Sequence, residues 1–128
     1  MAIKINSNTV IPNISGDTTC RNLAVGVNSL CNNTTGCDNV GLGFNALNTN
    51  TVGQGNIAVG SFALCNNTGG NYNTAIGLCA LRDNTTGANN TAIGCGALKC
   101  NTVGVNNVAI GQCVLVCNTG GNYNTAIG

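Results

Sequence analysis

A glycine that closes a short apolar triplet recurs at Gly26, Gly43, Gly60, Gly77, Gly94, Gly111 and Gly128, and every interval is 17 residues. Six complete units run from residue 26 to 127 and share the pattern G-x-x-A-L-x-x-N-T-x-G-x-x-N-T-A-I with few departures. A unit this short cannot close a core on itself, so it must stack on its neighbours. Gly and Asn at this density are costly in a helix, and no 3.6-residue apolar period crosses a unit. The expectation is an all-β protein, a parallel β-solenoid (β-roll) of 17-residue coils, with N-T-A-I-G and x-A-L-x as two short strands per coil. At about 4.8 Å per coil, the six units advance only about 29 Å.

Residues at one phase of the repeat form columns up such a stack. Leu30, Leu47, Leu64, Leu81, Leu98 and Leu115 make one column, and Val25, Leu42, Val59, Ile76, Ile93, Ile110 and Ile127 another; both read as core. A third column, Ala24, Gly41, Ala58, Ala75, Ala92, Ala109 and Ala126, admits only Ala or Gly, as expected where another backbone approaches closely. Ala58, Ala75, Ala92 and Ala109 are therefore the expected contact between chains of an oligomer. Asn-Thr pairs from Asn33-Thr34 to Asn118-Thr119 are each followed two residues on by a Gly, from Gly36 to Gly121, and carry turn chemistry with Gly supplying a positive φ. Asn22, Asn39, Asn56, Asn73, Asn90, Asn107 and Asn124 open each apolar triplet, where stacked identical amides can form a hydrogen-bonded ladder.

Magnitudes favour company for the chain. A coil buries two or three aliphatic side chains at roughly 1.5 to 3 kcal/mol each, while ordering each residue costs about 1 to 2 kcal/mol. Ladders and further chains docked on the Ala column are expected to close the gap, which points to a homo-oligomer with a trimer as the expected state.

Composition removes several function classes. Charged residues are 5% of the chain and the formal net charge is +1, so no basic stripe for nucleic acid exists. No apolar run reaches the roughly 18 to 20 residues of a membrane span. With no His and no Glu, and with Asp17, Asp38 and Asp83 at different phases, no catalytic constellation forms and a non-enzyme is expected. Gly41-Leu42-Gly43-Phe44-Asn45-Ala46 imitates a dinucleotide fingerprint, but Gly43 belongs to the repeat and no helix follows. No C-x-x-C is present, so neither metal nor other cofactor is expected.

N-T-A-I-G at 73–77 and 124–128, with A-L at 80–81 and 97–98, resembles the head repeats of YadA-like trimeric autotransporter adhesins. The fuller sentence N-T-A-I-G-x-x-A-L-x-x-N-T-x-G is similar to that of fibre proteins of bacteriophages and large viruses, and the likeness covers residues 22–128. It implies a trimeric, left-handed parallel β-roll, although the adhesin unit is shorter than 17 residues. The opening MAIKINSNTVI is similar to the start of marine phage structural proteins and lacks the apolar core of a secretory signal. That favours a structural or adhesive fibre at the virion surface, with other fibre proteins and a host receptor or glycan as partners. A bacterial surface adhesin head is the alternative. An ice-binding solenoid is a third reading, but it needs two Thr columns two residues apart, and only Thr34, Thr51, Thr68, Thr85, Thr102 and Thr119 form a complete one.

Nine cysteines fall at informative phases. Cys20 and Cys37 lie 17 apart, as do Cys100 and Cys117, so each pair would sit one coil apart, inside the roughly 4.4 to 6.8 Å Cα window of a disulfide. Free thiols and bridges between chains are the alternatives, since neighbouring phases carry Arg82, Asp83 and Lys99 and read as solvent-facing corners. Tyr72 and Tyr123, in identical G-G-N-Y-N-T settings, are candidate receptor contacts, with turn packing as the plainer role. Residues 1–21 fall outside the repeat and, with Ile3, Ile5, Val10, Ile11 and Ile14, are expected to cap the first coil or anchor the fibre. A stop at Gly128 in mid-coil leads to the expectation that the chain continues or that another chain covers this end.

Overall fold

The computed structural model describes residues 20–128 throughout, and before them the backbone of two strands, β1 (Ile3–Ile5) and β2 (Asn8–Ile11). Seven more strands follow at one per coil: β3 (Leu23–Val25), β4 (Val40–Leu42), β5 (Ile57–Val59), β6 (Thr74–Ile76), β7 (Thr91–Ile93), β8 (Val108–Ile110) and β9 (Thr125–Ile127). From β3 onward each pairs in parallel with the next, and the register advances by one repeat, so that Ala58 faces Ala75 and Ala75 faces Ala92. The protein is an all-β solenoid of 17-residue coils. At the other edge β2 pairs antiparallel with β3 (Val10 with Val25, Ile11 with Ala24) and β1 pairs with β2. Pro12, Ile14 and the side chains of Ile3, Ile5, Val10 and Ile11 lie outside the described residues.

Only one strand forms per coil. The A-L segment, expected as a second, is turn, because backbone φ is left-handed at two positions within it, as at Asn45 (φ 56°) and Leu47 (φ 52°). Its amides nonetheless bond the next coil, Leu47 N–H donating to Ala63 O at 3.0 Å and Leu64 N–H to Ala80 O at 3.0 Å. All six leucines of this column have φ near +50°. A left-handed L-residue costs about 1 to 2 kcal/mol, while burying a leucine returns roughly 1.5 to 3. Burial therefore wins at this position, and Leu30, Leu47, Leu64, Leu81 and Leu98 are completely buried.

The interior has two halves. One is apolar and consists of the leucines with two alanine columns, Ala58, Ala75, Ala92 and Ala109 from the strands and Ala46, Ala63, Ala80 and Ala97 from the A-L turns, all at 0% exposure. This corrects the expectation for the strand alanines: they are sealed inside one chain and cannot touch another. The close backbone approach read from their small size is real but intrachain, since the facing wall of the same coil presses on them. Gly41 demonstrates it, for a Cβ there would lie 2.5 Å from Ser29 Oγ and 3.4 Å from Ala46 O. Ser29 occupies an alanine position, and its hydroxyl donates to Gly41 O at 2.8 Å, so a larger residue on one wall is matched by a smaller one opposite.

The other half is built of amides. Asn39, Asn56, Asn73, Asn90 and Asn107 form the expected ladder, each donating its backbone N–H to the preceding Asn Oδ1 at 2.9 or 3.0 Å. The Asn of the Asn-Thr pairs forms a second ladder that the turn reading had missed: Nδ2 of Asn67, Asn84 and Asn101 donates to Oδ1 of Asn50, Asn67 and Asn84 at 2.7 to 2.9 Å. Both ladders converge on the turn-glycine carbonyls. Gly70 O, for example, accepts Nδ2 of Asn56 at 2.8 Å and of Asn67 at 3.0 Å. Among the described residues no buried side-chain nitrogen or oxygen lacks a partner. The turn glycines, expected to supply positive φ, are not left-handed. Gly is required there because a Cβ at Gly53 would lie 2.5 Å from Gly70 O and against the Asn50 side-chain oxygen.

Gly41→Ala is expected to destabilise the protein by about 1 to 3 kcal/mol through overpacking. Ser29→Ala combined with Gly41→Ala, which restores the usual Ala-Ala pair, should recover most of that loss. Denaturant unfolding of the two single variants and the double variant measures the coupling.

Candidate functional site

The surface that remains to be explained is the outward side of the parallel strands. With alanine pointing in, the flanking residues of each triplet must point out. The column Val25, Leu42, Val59, Ile76, Ile93, Ile110 and Ile127, expected as core, is thus on the outside, part-buried at five positions and exposed at Ile76 (38%) and Ile127 (73%). Two residues before each lies a second outward column, Leu23, Val40, Ile57, Thr74, Thr91, Val108 and Thr125. No charged residue stands in either column. Just past the opening glycine, Val27, Phe44 and Leu78 are also exposed, and the Phe44 ring meets that of Phe62 edge-on at 5.3 Å. The result is an uncharged strip along the strand face, aliphatic except at Thr74, Thr91 and Thr125.

Charge is kept to the corners. Arg21 Nε donates to Asp38 Oδ1 at 3.0 Å across one coil step, and Arg82 Nε donates to Asp83 Oδ1 at 2.8 Å. The Arg82 guanidinium hydrogen bond holds the Asp83 carboxyl below its ordinary range, aided by its charge, by Asn66 and by Lys99 and opposed by partial burial. Burial pushes the Cys65 thiol up, against the pull of Arg82, which keeps it protonated and poorly nucleophilic.

The cysteines sort by corner. Cys20 and Cys37 are joined in a disulfide with Cα atoms 4.7 Å apart, one of the two pairings the spacing allowed. Cys100 and Cys117 stand as free thiols, like Cys31, Cys65, Cys79, Cys95 and Cys113. All seven free cysteines lie on the arc around the A-L turn, on the same side as Arg82, Asp83 and Lys99. No three Cys or Asp side chains converge among the described residues. Tyr72 and Tyr123 are exposed, at 62% and 78%, and the Tyr72 ring occupies the space a side chain at Gly55 would need.

The complete threonine column uses its hydroxyls within the chain. Oγ1 of Thr51, Thr68, Thr85 and Thr102 donates to the carbonyl of the threonine one coil on, at 3.0 to 3.2 Å. Those donors are therefore not offered to an external lattice. No helix among the described residues is long and apolar enough to cross a membrane. No protein-family model, curated protein or solved structure matches the chain.

Because the Asp83 pKa is lowered in the folded protein, its contribution to stability is present above the ordinary carboxylate range and is lost as pH falls through the folded value. Urea midpoints measured at about pH 6 and about pH 3 should fall more for the native chain than for Asp83→Asn.

Proposed function

We propose that this chain is a non-enzymatic structural or adhesive segment of a fibre: a short, stiff rod in which three copies dock along their strand faces, carried at the surface of a virion. The observation that carries the reading is the outward aliphatic column from Val25 to Ile127, kept branched or leucine in all seven strands although the interior does not need it. Strand propensity and stacking along the ladder favour Val and Ile there within one chain. A partner that buries the face favours them further and accounts for the absence of charge. The strip is about 29 Å long and about 10 to 15 Å wide, some 300 to 400 Å², a size at which an exposed apolar patch begins to mark an interaction site.

A second copy of the same chain is the natural occupant, since its own face has the same 17-residue rise and no charge to desolvate. The three-fold closure follows the resemblance of the N-T-A-I-G repeat to trimeric adhesin heads and virus fibres. Among the described residues the interior holds no titratable group and every buried amide is paired, which suits a shaft exposed to changing conditions. The corners, with Tyr72, Tyr123 and the charged pairs, remain outward for other fibre proteins or a host-surface receptor.

Light scattering on the native particle should give about three times 12.7 kDa. Ile76→Asp with Ile93→Asp, both outside the coil, should leave the β-sheet circular dichroism intact and reduce the particle to a monomer. A well-folded native monomer would sink the assembly reading, and a trimer unmoved by the two aspartates would place the interface elsewhere.

A further inference from the structure

On the arc around the A-L turn, one column ties successive coils together through polar side chains. Asn32 donates Nδ2 to Asn48 O at 3.0 Å, Thr49 donates Oγ1 to Cys65 O at 2.9 Å, and Asn66 donates Nδ2 to Asp83 Oδ1 at 3.2 Å. After Asp83, whose carboxylate accepts from Arg82 of its own coil, the column continues with Cys100 and Cys117, which have only thiols to offer in place of those hydroxyl and amide donors. Their backbones stack in register: Cys100 N–H donates to Val116 O at 3.1 Å, and the residues that follow, Asn101 and Asn118, join amide to amide at 3.0 Å. Cys117 is exposed and Cys100 is half-buried, so reagents reach at least one sulfur. Cys20 and Cys37 stand in the same relation, 17 residues and one coil apart, and are bonded with Cα atoms 4.7 Å apart. No other two free cysteines share a column on adjacent coils; Cys31 and Cys65 are separated by Asn48, and Cys79 and Cys113 by Gly96. Two coil steps, about 9.6 Å, exceed the reach of a disulfide.

We propose that Cys100 and Cys117 form a second disulfide between coils on exposure to a small-molecule disulfide such as oxidised glutathione, stapling the last two complete coils as Cys20–Cys37 staples the first. The Cys117 thiolate attacks the oxidant's S–S bond, giving a mixed disulfide and releasing one glutathione thiolate. The Cys100 thiolate then attacks the Cys117 sulfur, the new S–S bond closes, and the second glutathione thiolate leaves. Two electrons pass from the cysteines to the oxidant, and the two protons lost by the cysteines end on the two glutathione thiols. The covalent link replaces the polar ties that the column makes lower in the stack. This inference rests on the coil register alone and is independent of the fibre reading.

The test is a disulfide map of the native protein after oxidised glutathione, with free thiols alkylated and digestion by an elastase-type protease that cuts between the two cysteines without reduction. Mass spectrometry should find Cys100 and Cys117 linked in most chains, and a mixture of normal and 15N-labelled protein should give linked peptides of a single isotope. Cys113→Ser, which removes the neighbouring thiol, should leave the link in place. Recovery of Cys100 and Cys117 as separate alkylated or glutathionylated peptides would overturn the proposal. So would a Cys113–Cys117 pair, or linked peptides of mixed isotope.

Discussion

The turn-glycine carbonyl is the point on which the solenoid depends. Each such oxygen accepts two asparagine amides, one from each ladder, and from Gly36 to Gly104 each glycine lacks the Cβ that would collide with the next carbonyl up the stack. With the carbonyl held, the two Asn columns are held in register, alongside the backbone bonds that join coil to coil. The amides are buried, so every one left unpaired would cost about 1 to 3 kcal/mol. In a stack of identical coils a single shift in register would leave many of them unpaired at once. The interior is therefore specified by polar satisfaction at least as much as by apolar burial, which is limited to one leucine and two alanines per typical coil.

That small apolar half explains the outside. A 17-residue coil has so little interior that its larger aliphatic residues cannot all fit; alanine takes the inward strand position in most coils, and Val, Ile, Leu or Thr takes the outward ones. The chain thus presents its bulkiest β-branched residues to whatever lies beyond it. Backbone strain supports the same economy of space: left-handed leucine, tolerated in each coil, turns the chain sharply enough to close so narrow a cross-section while keeping its side chain inside.

The period made the solenoid legible. Glycine every 17 residues, with Asn and Leu in fixed phase, leaves little besides coils in register, and the Asn22 column followed because identical amides at one phase stack. The direction in which each column points was not legible. In a triplet such as Thr-Ala-Ile, hydrophobicity assigns Ile to the core and smallness assigns Ala to a contact, and the opposite holds because interior volume, not hydrophobicity, decides. The Asn33 column carries only a turn signal in the sequence for a related reason: Asn next to Thr and Gly is a turn signature, and the stacked geometry reveals that the same amide also bonds its neighbour up the coil. Left-handed leucine has no sequence signal, since leucine ordinarily avoids that conformation. The cysteine phases allowed both Cys20–Cys37 and Cys100–Cys117 without choosing between them.

Side-chain amide hydrogen exchange tests the central claim most directly. If the two ladders are buried and paired as described, the Nδ2 protons of Asn73, Asn84, Asn90 and Asn101 exchange far more slowly than those of exposed Asn66, and each shows a nuclear Overhauser effect to the asparagine one coil away. Exchange of all these amides at the rate of a free asparagine would contradict it, because the stack would then lack the interaction that sets its register.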